Sequence, residues 1–151
     1  MDRARWRATL AYRLFPLLQV GVELNPGTDE IVPNATLFVF TESVLRPAVF
    51  VGTSSDRIGS PEGTQTVFAT VAKNLGRIPI APYVSVAYSE WDAGWNVPFG
   101  AHVDVGHGFS VRPMYDGEET HLTASYSRGG LGVTALWVWL EEPGLAVSYG
   151  F

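Results

Sequence analysis

His102, Asp104, His121 and Ser125 have the side-chain types for acid–base or nucleophilic chemistry. His102 and Asp104 stand two apart, so an extended segment projects both from one face, and His121 and Ser125 share a face in the same way. A Ser–His–acid set needs the imidazole within hydrogen-bond reach of the hydroxyl and a third group to orient it. Imidazole and carboxylate also suit several divalent ions, but no compact ligand spacing accompanies them here. Histidine and acid on a polar strand face more often form a hydrogen-bond network. The reading therefore assigns no catalytic residue, no metal ligand and no cofactor. Gly100, Gly106 and Gly108 lack the strand–loop–helix setting of a phosphate loop and read as turn and bulge glycines.

The 151 residues suit one domain, 1–151, and the absence of cysteine excludes disulfides and thiolate metal sites. A net charge of −5 argues against a nucleic-acid surface. Charged residues make up only 17%, against roughly 25% in an ordinary soluble domain. No apolar run approaches the roughly 20 residues of a membrane helix, and no signal peptide is read at the N-terminus.

The elements that must position these groups follow a period of two, the mark of half-buried strands. Trp6, Ala8, Leu10, Tyr12 and Leu14 alternate with Arg5, Arg7, Thr9 and Arg13. Leu18, Val20, Val22 and Leu24 alternate with Gln19, Gly21 and Glu23. Residues 35–41 are apolar on both faces and read as strand by β-propensity alone. Further strands follow around Val49, Val67 and Val84, then through Asn96–Val105, Phe109–Arg112, His121–Tyr126, Leu131–Trp139 and Leu145–Phe151. Turn signals separate them, among them Asp116-Gly117, Gly129-Gly130 and Pro143-Gly144. Eleven strand-like segments result. The expected fold is all-β: an antiparallel up-and-down transmembrane β-barrel of about 10–12 strands.

Three features favour a membrane barrel over a soluble one. The polar face is mostly Thr, Ser, Gly, Gln and Asn, which suits an enclosed interior better than a water-facing surface. Its expected lumen-lining residues are Arg5, Arg7, Arg13, Glu23, Lys73, His102, Asp104, Arg112 and His121. Charge also sorts by connection. Alternate connections, expected to be the longer ones, hold Asp29, Glu30, Asp56, Glu62, Glu90, Asp92, Asp116, Glu118, Glu119, Glu141 and Glu142, with Arg57 the one base. The others, expected to be tighter, hold Arg46, Arg77, His107 and Arg128. Finally, Trp91 and Trp95 flank one loop while Phe15, Phe109, Tyr149 and Phe151 mark strand ends, where aromatics sit at a membrane–water interface.

The last segment, Leu145, Val147, Tyr149 and Phe151 alternating with Ala146, Ser148 and Gly150, resembles the closing strand of bacterial outer-membrane β-barrel proteins. Those proteins typically end on an alternating strand with a C-terminal aromatic, most often Phe. The resemblance implies an outer-membrane location, a lipid bilayer as surroundings, and the outer-membrane assembly machinery as a partner through the C-terminal strand. Such barrels normally have an even strand number, so eleven segments call for one more strand before Arg5 or a different count. The function expected is non-enzymatic, a narrow porin-like channel or a membrane anchor, with divalent cations at the acidic loops. The alternatives are a soluble lipocalin-like barrel binding an apolar ligand and an outer-membrane lipid hydrolase.

Overall fold

A computed structural model of the chain describes residues 8–25, 30–57 and 59–150. Arg5, Trp6, Arg7, Asp29 and Phe151 lie outside them. Among the described residues there is no helix. The strands are β1 (Ala8–Phe15), β2 (Leu18–Asn25), β3 (Glu30–Phe40), β4 (Ala48–Ser55), β5 (Gln65–Ala72), β6 (Ile80–Ser89), β7 (Gly94–Asn96), β8 (Phe99–Gly106), β9 (Phe109–Tyr115), β10 (Thr120–Arg128), β11 (Leu131–Val138) and β12 (Glu142–Tyr149). They form one antiparallel sheet in the order β1-β2-β3-β4-β5-β6-β8-β9-β10-β11-β12. The sheet is not closed among the described residues.

Short β7 lies off this path and pairs with β6 beyond β8. Ala87 stands opposite Asn96, while Val84 stands opposite Phe99. The single strand expected through Asn96–Val105 is thus two strands in tandem, broken at Val97–Pro98. Proline has no N–H for a ladder, and the chain restarts after it. The path keeps eleven strand positions.

The chain divides into two compact units, Met1–Val71 with Ser85–Val97 and Ala72–Val84 with Pro98–Phe151, so β6 contributes to both. Residues directly opposite in a ladder share a face, so the registers sort side chains within each unit. In the first, Arg13 faces Gln19, Gln19 faces Thr36, and Glu23 faces Val32, all on one side. In the second, Asp104 faces Ser110, Ser110 faces Ser125, Ser125 faces Thr134, and Thr134 faces Ala146. The other side carries Val103 opposite Val111 and Val133 opposite Val147.

Burial is inverted relative to a water-soluble domain, in which apolar side chains are the buried ones. Among the described residues the buried ones are mainly polar: Glu23, Ser55, Asp56, Ser60, Thr70, Ser85, Ser89 and His121, with only Val32 and Ala87 apolar. Leu10, Val67, Val86, Val105, Leu145 and Val147 are exposed.

Two expectations about connections change. The β11–β12 turn is not at Pro143-Gly144, since Pro143 and Gly144 are paired with Trp137 and Leu136. It is Trp139-Leu140-Glu141, between paired Val138 and Glu142, with φ 55° at Trp139, 58° at Leu140 and Glu141 N–H donating to Val138 O (3.0 Å). Consecutive positive φ is the conformation that Asn-Gly normally supplies. Gly129 and Gly130 make a two-residue β10–β11 turn between paired Arg128 and Leu131, at φ 57° and 84°. Connection length also sorts less cleanly than expected, because 41–47 and 73–79 are long members of the basic set. Charge sorts better than length.

Candidate functional site

The apolar face of the second unit is ordered along its strands. Mid-strand positions are small or aliphatic: Ala101 and Val103 on β8, Val111 on β9, Ala124 on β10, Val133 and Ala135 on β11, Leu145 and Val147 on β12. Aromatic residues take the ends. Phe99, Tyr115 and Trp137 lie toward the acidic connections, and Phe109, Tyr126 and Tyr149 toward the basic ones. They meet in pairs, Phe99 with Tyr115 (5.2 Å between ring centroids) and Phe109 with Tyr126 (4.7 Å). In the first unit Tyr88 and Trp95 pair at the acidic end (5.4 Å), while Phe15 and Phe40 stand at the basic end. Among the described strands the apolar face carries no charged residue except Arg128, the last residue of β10. Eight residues at about 3.3 Å each, tilted by about 40°, rise about 20 Å, close to the roughly 25 Å apolar band of a membrane barrel.

The opposite face receives the residues expected to line a lumen. Arg13 and Glu23 lie on it in the first unit, and His102, Asp104, Arg112 and His121 in the second. Lys73 falls just past β5, its N–H donating to Pro82 O (3.1 Å). Arg5 and Arg7 lie outside the described residues. The groups that might have made a Ser–His–acid set are not assembled. His121 partners Asp116, Ser125 Oγ lies 2.8 Å from Thr134 Oγ1, and Asp104 Oδ1 accepts Gly106 N–H (2.8 Å).

Two clusters tie the acidic connections together. In the first unit, buried Asp56 accepts Ser89 Oγ–H (2.7 Å) and Trp91 N–H (3.2 Å) through Oδ2, and Arg57 N–H (2.8 Å) through Oδ1. Arg57 pairs with Asp92 and stacks on the Trp91 ring (4.6 Å). Glu30 Oε1 accepts Gly63 N–H (2.5 Å), and Glu90 Oε2 accepts Gln65 N–H (2.8 Å). These carboxylates therefore brace loops against one another as well as carrying charge.

In the second unit, His121 is 4% exposed and bonded at both ring nitrogens. Nε2 lies 2.8 Å from Asp116 Oδ2, and Nδ1 accepts Trp139 N–H (3.1 Å). The accepting Nδ1 carries no proton, so Nε2 is the donor to Asp116. Burial alone would raise the Asp116 carboxyl, but the N–H groups of Glu119 and Glu118 and the His121 ring outweigh it and hold the carboxyl below its ordinary value. Proximity in sequence was a weak signal of this pair: Asp116-Gly117 reads as a turn, and a turn folds Asp116 back over His121.

Among the described residues no group of three or more His, Asp or Glu is placed to hold a metal ion. No protein-family model, no curated protein and no solved structure matches the chain.

Proposed function

We propose that the chain is the wall of a non-enzymatic β-barrel that spans a bilayer, of the bacterial outer-membrane kind. One observation carries the reading: within each unit a strand face nearly free of charge, aliphatic at mid-strand and aromatic at its ends, backs onto a largely polar face, on which Glu23, Thr70, Ser85 and Ser89 are buried in the first unit and His121 in the second. Lipid solvates the first face, and the aromatic rings sit at the two interfaces. A lipocalin-like barrel requires the reverse, an apolar interior and a charged exterior, so this distribution counts against it.

In hydrocarbon every backbone N–H and C=O needs an internal partner, so the two edge strands cannot stay open. Eleven antiparallel positions leave β1 and β12 running in the same sense. One further strand between them would pair antiparallel on both sides and give an even number. The acidic connections would face outward from the cell and the basic turns the periplasm, following the usual sidedness of loops and turns.

The test is extraction and labelling. A membrane barrel requires detergent, migrates faster on a gel before boiling than after, and in whole cells exposes a cysteine placed at Glu118 but not one at Arg128. A protein that remains monomeric in buffer without detergent and shows no heat-dependent migration contradicts the reading.

A further inference from the structure

Hydrogen-bond donors from neighbouring strands lie together on the polar face of the second unit. Arg112 on β9 stands opposite Thr123 on β10. The β8–β9 register, with Gly100 opposite Met114 and Val103 opposite Val111, sets His102 level with Arg112 on its other side. Side chains level on neighbouring strands and sharing a face have Cβ atoms about 4.5–5.5 Å apart, so imidazole, guanidinium and hydroxyl form one row. Tyr83 on β6 stands opposite Gly100 and adds a further donor. A Cβ at Gly100 would stand 2.8 Å from Tyr83 Oη and 3.0 Å from its Cε1, so the ring crosses β8 where a glycine admits it. The hydroxyl is thereby carried from β6 toward β9, near enough to Arg112 for the two to interact electrostatically.

No carboxylate answers these donors. Among the described residues the side chains of Tyr83, His102, Arg112 and Thr123 have no hydrogen-bond or ion-pair partner. Asp104, two residues from His102, is level with Ser110 rather than Arg112, and its Oδ1 accepts Gly106 N–H (2.8 Å). The other carboxylates of the unit lie in the connections or at the acidic end of β12. Arg112 is exposed and the other three side chains are half-buried, so the patch is open to a solute. It lies on β6, β8, β9 and β10, adjacent in the sheet and within one unit, and needs no second wall.

We infer that Tyr83, His102, Arg112 and Thr123 form a binding site for the phosphate group of a small solute. The planar guanidinium fork of Arg112 takes two phosphate oxygens at once. The imidazole N–H and the two hydroxyls donate to the remaining ones. A carboxylate offers only two oxygens to the same donors and is the weaker ligand. The inference rests on the membrane-barrel reading in one respect: there this face is the interior, so the phosphate belongs to a solute of the aqueous phase and not to a lipid headgroup.

The experiment titrates inorganic phosphate into the full chain in a maltoside detergent, which carries no phosphate, and reads binding by calorimetry at constant ionic strength. The wild type should bind phosphate saturably and acetate more weakly. Arg112→Gln should weaken phosphate binding about tenfold or more and Tyr83→Phe about threefold, as expected for hydrogen bonds to a charged group. Arg112→Lys, which keeps the charge and loses the fork, should fall between wild type and Arg112→Gln. Arg128→Gln, on the other face, should leave binding unchanged. A readout on the wild type alone does not depend on the folding of any variant: phosphate should slow phenylglyoxal modification of Arg112 and not of Arg128. Absence of saturable binding, unchanged affinity in Arg112→Gln, or equal protection of the two arginines overturns the site. Phosphatidylcholine vesicles with brominated acyl chains separate the two sources of phosphate. Protection of Arg112 by the vesicles alone, before phosphate is added, assigns the contact to a headgroup and overturns the solute site. Quenching of tryptophan emission in the same vesicles tests the membrane reading separately; its absence overturns that reading, while the detergent titration decides the site.

Discussion

His121 joins the β9–β10 connection to the β11–β12 turn, with Nε2 2.8 Å from Asp116 Oδ2 and Nδ1 receiving the Trp139 N–H. The two bonds fix one tautomer of a buried ring, and Asp116 is in turn held by two backbone N–H groups. The arrangement has a consequence in acid. A carboxyl whose folded pKa lies below its ordinary value, near 3.8, contributes stability at pH above that value and loses it as pH falls through the depressed one. The thermal midpoint of the wild type should therefore exceed that of Asp116→Asn by a constant margin from about pH 7 to about pH 5, and the margin should shrink below about pH 4. A margin independent of pH down to acid unfolding would show that the Asp116 charge is not what holds the turn.

The Trp139-Leu140 turn holds two bulky residues at positive φ, a conformation costing roughly 1–2 kcal/mol for a residue with a Cβ. Leu140 is 57% exposed, so shortening it removes little packing. Leu140→Gly should raise stability by about 1 kcal/mol in detergent, measured by urea unfolding. A loss of stability would mean that the Leu140 side chain makes a contribution larger than its strain.

Gly52 is required for a different reason. An added Cβ would collide with Ala35 O and stand 2.7 Å from Phe68 Cζ, and the first of these is backbone that cannot swing aside. Gly52→Ala should destabilise by about 1–3 kcal/mol, the range for overpacking, and should change the near-ultraviolet dichroism of the neighbouring rings. A neutral substitution would place Phe68 away from Gly52.

Much of this architecture is legible in the residue pattern, because period-two alternation of Val and Leu with Ser and Thr fixes both strand and face. Eleven strand positions and the facing of His102, Asp104, Arg112 and His121 follow from it. The misreadings have identifiable causes. Pro98 sits in an otherwise regular alternation and its missing N–H splits the strand. Trp139-Leu140 lacks every usual turn residue, while Pro143-Gly144 resembles a turn; in the fold the latter pair lies in the ladder, and His121 accepts the N–H of Trp139. The segment 35–41 is apolar on both faces, and that irregularity is the trace of Phe38 pointing inward, a meaning visible only once Phe50 and Phe68 are beside it. The pairing of His121 with Asp116 depends on a chain reversal that spacing alone does not specify.

Facing has an energetic signature. Val103 is mid-strand on the apolar face, and Ser125 lies on the polar one opposite Ser110 and Thr134. Val103→Arg should cost about 2–4 kcal/mol when the protein is folded into lipid, and Ser125→Arg clearly less. Equal costs measured by reversible unfolding from vesicles would remove the distinction between the faces.

Lipid contact itself is measured most directly with single nitroxide labels at Val103, Val105, Val147 and Tyr149 on one face and at His102, Asp104 and Ser148 on the other, in the full chain reconstituted in bilayers. The first set should show high accessibility to dissolved oxygen and low accessibility to a polar nickel reagent, with Val103 and Val147 deeper than Tyr149. The second set should show low oxygen accessibility, as expected for a packed or water-lined interior. Indistinguishable accessibilities for the two sets, or oxygen-rich surroundings at His102 and Ser148 with water at Val103 and Val147, would contradict the membrane-barrel account.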